Sequence, residues 1–188
     1  MTVNGAFRGL VRNALGYFNS ADRPDPDQVF HRANLPRVAD DVAALTSGVM
    51  TTTPLWLNAG DTVTNLTAIS GGTALATGTH WFFALYNPAG TTLLGQTADQ
   101  TSGAWAADTV KTLALAAPVK ITASGLYQVG IMVAASTVPT LVGVTAAKPF
   151  LTGEVNLAQT SGSGLTTTAP ATVATPTFQR QVPLVVAT

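Results

Sequence analysis

Cysteine is absent from all 188 residues, which excludes a disulfide framework and thiolate metal sites. Histidine is almost absent. His31 and His80 lie far apart, with neither a His-x-His pair nor a His-Glu-x-x-His spacing, so no transition-metal site is expected. Charged residues make up only 10% of the chain, against about 25% in ordinary globular domains. The 9 Lys+Arg balance 9 Asp+Glu to a net charge of zero, which removes the basic footprint of a nucleic-acid binder. No run approaches the ~18 consecutive apolar residues of a membrane span, and the N-terminus lacks the apolar run and cleavage site of a signal peptide. The expectation is a soluble, unprocessed chain with neither nucleic acid nor membrane as partner.

Catalytic signatures are missing too. There is no Gly-x-Ser-x-Gly elbow, phosphate loop or dinucleotide fingerprint; Gly71-Gly72 stands alone and Ser161-Gly162-Ser163-Gly164 reads as linker. Beyond residue 48 the acids are Asp61, Asp99, Asp108 and Glu154, each in a separate turn or loop. Nothing in their spacing pairs them as a glycosidase requires, and Asp99 with Asp108 lacks the dense acid spacing of a calcium loop. We therefore assign no catalytic residue, metal or cofactor from sequence, and expect a protein that is not an enzyme. His80, beside Trp81, reads as a hydrogen-bonded structural histidine.

What the chain does have is 46% hydrophobic content, enough for a substantial core, and a great deal of Thr and Ala, 30 residues of each. Its charge is lopsided. Residues 1–41 hold Arg8, Arg12, Arg23, Arg32 and Arg37 with Asp22, Asp25, Asp27, Asp40 and Asp41, so 10 of the 18 charges sit in the first 41 residues. Two regions with different solvation needs are joined.

Residues 1–47 read as an arm. Asn4–Phe18 places Phe7, Leu10, Val11, Ala14, Leu15 and Phe18 at helical spacing with Arg8 and Arg12 turned away, while Gly5, Gly9 and Gly16 weaken the helix. Its apolar stripe packs either on the chain's own sandwich or on a neighbouring subunit. Pro24 and Pro26 force extended backbone before them, and Val38, Val42 and Leu45 fall at the offsets of a short helix over Arg37–Leu45.

Residues 48–148 read as short strands and turns, an all-β pattern. The predicted strands are Val49–Leu57, with Pro54 at an edge or bulge, then Thr62–Ile69, Thr79–Tyr86, Thr91–Thr97, Thr109–Leu115, Val119–Ile121, Gly125–Ala135 and Pro139–Val144. The Thr79–Tyr86 strand organises the rest. Alternation puts Trp81, Phe83 and Leu85 on one face and Phe82, Ala84 and Tyr86 on the other, so both faces are apolar and the strand belongs inside. Asn87-Pro88-Ala89-Gly90 fits a type I turn leading into a hairpin partner. About eight strands suit a jelly-roll-like antiparallel β-sandwich. Residues 149–188 form a Gly/Thr/Pro-rich strap ending in a strand, Gln181–Ala187, which either returns to its own sheet or is donated to another chain.

The ordered set Leu57-Asn58-Ala59-Gly60-Asp61-Thr62-Val63-Thr64-Asn65, Thr79–Tyr86, Gln96–Asp99, Ala104-Trp105, Lys111-Thr112-Leu113 and Gly125-Leu126-Tyr127 resembles a β-sandwich module of virion proteins from tailed phages of actinobacteria, commonly labelled minor tail proteins. The resemblance covers roughly residues 49–147, with Gly164–Pro170 also similar. It implies a structural part of a virus particle, on tail or head, made in the bacterial host cytoplasm and located in the virion.

Two functional expectations follow. In the first, the sandwich is displayed on the particle as a minor tail or capsid decoration protein, with capsid or tail subunits as partners and self-association as a homo-oligomer, for example a trimer. Its anchoring residues are then Phe7, Leu10, Val11, Leu15 and Phe18 in the arm and Val182, Leu184 and Val186 at the C-terminus. In the second, the chain is a carbohydrate-binding module touching the host surface through Trp56, Asn58, Asp99 and Trp105.

Overall fold

A computed structural model describes the backbone of residues 31–32 and all of residues 39–153 and 155–188. The expected helix over Asn4–Phe18 and the proline-bearing segment after it lie outside the described residues. The described residues contain no helix and form thirteen strands: β1 (His31–Arg32), β2 (Asp40–Val42), β3 (Met50–Leu57), β4 (Thr62–Ile69), β5 (Ala76–Tyr86), β6 (Leu93–Gln96), β7 (Val110–Lys120), β8 (Gly125–Thr137), β9 (Leu141–Thr145), β10 (Gln159–Ser161), β11 (Thr177–Phe178), β12 (Gln181–Pro183) and β13 (Val185–Ala187). All pairings are antiparallel. They build a four-stranded sheet β1-β13-β4-β7, a six-stranded sheet β11-β10-β3-β8-β5-β6 and a three-stranded sheet β12-β9-β2.

The four- and six-stranded sheets face each other as a β-sandwich. Alternation supplies the layer between them: Val63, Leu66, Ala68, Leu115, Val185 and Ala187 from one side meet Leu55, Leu57, Trp81, Phe83, Leu85, Tyr127, Val129, Ile131 and Val133 from the other. Val42 and Leu141 join this core from the three-stranded sheet. β5 lies inside, between β8 and β6, and Trp81 through Tyr86 are all buried. Its other face, Phe82, Ala84 and Tyr86, packs with Met50, Met132 and Ala169, flanked by Leu93, Ala134, Leu165 and Val173. The Gly/Thr/Pro strap thus forms a third layer over the six-stranded sheet, small residues lying close over a face that the sandwich interior cannot reach.

The hairpin forms where the Asn-Pro-Ala-Gly tetrad predicts it. Gly90 N donates to Asn87 O at 2.9 Å, and the Asn87 side chain accepts from the amides of Thr91 and Thr92 at 2.8 and 3.1 Å. Pro54 fits its place as well. β10 pairs only with Met50–Thr52, so Pro54 lies beyond the last rung on that edge of β3, where a missing N–H costs no ladder bond.

The structure corrects several expectations. Residues 40–42 form β2 against β9 instead of a helix; the free edge of β9 pairs with them, and Val42 and Leu45 reach the core from extended chain. Gly71 permits this approach, since a Cβ there would fall 1.9 Å from the Asp41 carboxylate, which itself accepts from Gly72 N at 3.0 Å. The sandwich therefore begins N-terminal to residue 47. Val110–Lys120 is one strand, not two, with an irregularity that lets Pro118 fall where β7 leaves the ladder, between Ala114 and Val119. Gln181–Ala187 splits at Leu184 so that β12 pairs with β9 and β13 with β4 of the same chain. The strands beyond the expected eight or so are mostly two or three residues long, too short for alternation to register.

Tyr86 couples the strap to β5. Its hydroxyl donates to Pro170 O at 2.7 Å, with Met50 Sδ 3.4 Å away, and burial pushes the phenol above its usual value near 10. A raised folded pKa makes this group's contribution complete below pH ~10 and lost as pH rises further. Tyr86→Phe should cost about 1 kcal/mol at neutral pH, and the gap from the parent protein should narrow above pH ~10; urea unfolding midpoints of both proteins at neutral and alkaline pH would measure it.

Candidate functional site

The arrangement closest to a chemical site lies where β5 emerges from its irregular first turns. The register of β5 on β8 shifts between Gly78 and His80, and the loop after β6 folds back over this point: Gln100 N donates to Trp81 O at 2.9 Å and Ser102 N to Thr79 O at 3.2 Å. The loop thereby brings Asp99 Oδ2 to 2.8 Å from His80 Nδ1 and within 2.5 Å of the Thr101 hydroxyl, which donates to it. The side chains are 23% and 11% exposed for His80 and Asp99, while Asp99 Oδ1 is buried without a partner. Thr101 spends its proton on the carboxylate and not on the imidazole, so the histidine does not activate it as a nucleophile. This is a hydrogen-bonded structural pair that ties loop to strand.

The other acids are placed elsewhere. Asp61 Oδ2 accepts from Asn58 N at 2.7 Å within its turn, and Asp108 adopts a left-handed backbone with φ 51°. Among the described residues no three His, Cys, Asp or Glu side chains cluster as a metal site would need.

The four expected glycan-contact residues do not converge. Trp105 is 1% exposed, packed 4.8 Å from Trp81 and 5.8 Å from Phe83 between ring centroids, and its Nε1 donates to Thr109 O at 3.1 Å. It is a core residue supplied by a loop, which corrects its reading as an exposed platform. Asp99 is committed to His80. Trp56 and Asn58 are neighbours, with Trp56 Nε1 donating to Asn58 Oδ1 at 3.0 Å, and both are half-buried at the end of β3.

The expected C-terminal anchors are also used internally. Val182 and Leu184 are buried at 3% and 6% exposure, and the strand that carries Val186 pairs within its own sheet. Burial in the same chain withdraws Val182 and Leu184 from anchoring; Val186 is only half-buried. Phe7, Leu10, Val11, Leu15 and Phe18 lie outside the described residues.

Sequence reasoning missed the loop after β9. Phe150, Leu151, Val155 and Leu157 are exposed at 88, 70, 66 and 54%, the largest concentration of exposed apolar side chains in the described structure. The signal was there: Pro149-Phe150-Leu151 sets two bulky apolar residues at the head of the Gly/Thr/Pro-rich strap. No protein-family model matches the chain, and no curated protein matches it either.

Asp99→Ala should cost about 1 to 2 kcal/mol by releasing both the His80 ring and the Thr101 hydroxyl. Trp105→Ala should cost more, about 3 to 5 kcal/mol, as a large core deletion. Chemical denaturation of the two variants ranks them, and a Trp105→Ala protein as stable as the parent would contradict its role in the core.

Proposed function

We propose that this chain is a non-enzymatic structural protein of a tailed-phage virion, a minor tail or capsid decoration protein. Its jelly-roll-like sandwich is displayed on the particle and its N-terminal arm anchors it, with capsid or tail subunits and further copies of itself as partners. The observation that supports this best is the sparse charge of the sandwich and strap: 10 of the 18 charges lie in residues 1–41 and only 8 in the remaining 147. A body with so few charges loses little hydration when covered by a neighbour, and a chain with 10% charged residues has little electrostatic repulsion to keep copies apart. The resemblance of residues 49–147 to virion β-sandwich modules points the same way.

No geometry favours the carbohydrate reading, because Trp105 is enclosed and Trp56 and Asp99 belong to separate local networks. The arm is the part to test. Deletion of residues 1–30 removes none of the described strands, so the shortened protein should keep its unfolding free energy within about 0.5 kcal/mol yet fail to co-sediment with particles that lack this subunit. Particle binding by the shortened protein, or retention of the intact one on host cell-wall glycan, would count against the proposal.

A further inference from the structure

Every strand at the edge of the three sheets is short, except one. β1 and β11 are two residues long, β2 and β12 three and β6 four, whereas β7 runs for 11, Val110–Lys120. A short edge offers an incoming strand too few backbone groups to hold it, and a long one is a template for sheet growth. β6 is also clasped by the strap, with Leu93 N donating to Ala171 O at 3.0 Å. On the side of β3 that β10 leaves uncovered stands Pro54, which has no N–H to offer.

The backbone of β7 is open over its first half. Ser70 N donates to Thr109 O at 3.1 Å, and Ala68 and Leu66 follow in register with Lys111 and Leu113, so Lys111 and Leu113 turn their backbone groups to β4 while Val110 and Thr112 turn theirs outward. Among the described residues only the Thr97–Leu115 bridge pairs with this edge. Val110 is 57% exposed, and Thr112 is exposed too. The Lys111 side chain points inward. It lies opposite Ala68 and on the same face as Leu115, both core residues, so a charge stands where an apolar side chain fits the pattern. It is half-buried, with Nζ 5.9 Å from the centroid of the Trp81 ring. The one ion pair among the described residues joins His80 to Asp99, so no described carboxylate pairs with Lys111. Two of the chain's three lysines, Lys111 and Lys120, fall on this strand together with Pro118.

We propose that Lys111 guards this edge, keeping a strand of a second copy of the chain from adding to β7. A strand laid against Val110 and Thr112 would set its own inward side chains beside Lys111 and shut the ammonium away from water, with the Trp81 ring as its partner. Burying an ammonium without a carboxylate is unfavourable, so the added strand is rejected although the backbone groups invite it. Pro118 protects the second half of β7 by having no N–H to donate. Inward-pointing charge and edge proline are the means by which exposed sheet edges are kept from pairing, and this chain combines them on its one long edge.

Full-length Lys111→Leu puts an apolar side chain at this position and should keep the fold, with an unfolding midpoint at or above the parent's. As its concentration rises, its mass by light scattering should climb to about twice the parent's or more, and the amides of Val110 and Thr112 should exchange about tenfold more slowly than in the parent. Lys111→Arg, which keeps the charge, should match the parent in both. Adding Thr112→Pro to the leucine variant removes an outward N–H without loss of a bond to β4, and the parent's mass should return. Lys111→Gln, neutral and of similar reach, takes the place of the leucine variant should that one not fold. A neutral variant that keeps the parent's mass at every concentration, or one that associates while Val110 and Thr112 exchange as fast as before, overturns the proposal.

Discussion

Six consecutive side chains of β5, Trp81 to Tyr86, leave no more than 1% of their surface to water, and that demand for cover on both faces shapes everything else in the molecule. A strand with one apolar face needs one partner layer; a strand with two needs to be the middle of three. The opposing sheet covers Trp81, Phe83 and Leu85. Neighbouring strands set Met50 and Met132 beside Phe82 and Tyr86 but lay no sheet over them, and the chain continues past β9 and returns as the strap that brings Leu165, Ala169 and Val173 into the same cluster. The small residues of the strap are what make this workable. A run of Gly, Ser, Thr and Ala has little core of its own to build, but it can lie close against aromatic rings and satisfy its backbone locally, as Pro170 O does with Tyr86 and as Ala169 N does with the Gln96 side chain at 2.6 Å.

The same economy explains the loop between β6 and β7. Trp105 enters the core beside Trp81 and Phe83 although it belongs to no strand, and the backbone bends sharply on both sides of it, with Ser102 at φ 55° and Asp108 at φ 51°. Left-handed backbone at a non-glycine residue costs about 1 kcal/mol or more, and burying an indole returns more than that. Ser70 fastens the loop from below, donating to Ala106 O at 2.6 Å and accepting from Thr109 N at 2.9 Å. A core poor in bulky residues thus recruits a large ring from a loop, and hydrogen bonds to loop backbone hold it there.

Much of this was legible in the sequence, and the boundary of legibility is physical. Alternation of period two located β4 and β8 to within a few residues, because each is long enough for its two faces to differ in composition, and apolar or Thr-rich runs bounded by turn signals located β3 and β5. The Asn87–Gly90 turn was legible because its chemistry is local. Trp105 was not, since a tryptophan in a loop reads as exposed unless its distant partners are known. Val42 and Leu45 misled for a related reason: an offset of three suits a helix, but it also suits extended chain that bends between two core contacts. The division of Gln181–Ala187 at Leu184 depends on two different sheets competing for one segment, which no local pattern encodes. The His80–Asp99 pair was half visible, the histidine as a structural residue and the carboxylate misassigned, because their contact depends on how a loop folds over β5.

The placement of charge follows from the same three-layer logic. A residue such as Thr serves at a half-buried sheet face, where its methyl packs and its hydroxyl finds a neighbour, as Thr67 and Thr112 do; Lys or Glu there would have to be stripped of water whenever the face was covered. Surfaces destined to stay wet gain solubility from charge, whereas surfaces destined to be covered gain from lacking it. This chain places 10 of its 18 charges in the first 41 residues and leaves its sandwich with Thr, Ala and Val outside. It also displays Val155 and Leu157 on a loop. The structural role proposed above uses that distribution: a weakly charged body packs against neighbouring subunits with few ions to strip of water, and the strap completes the core within each copy.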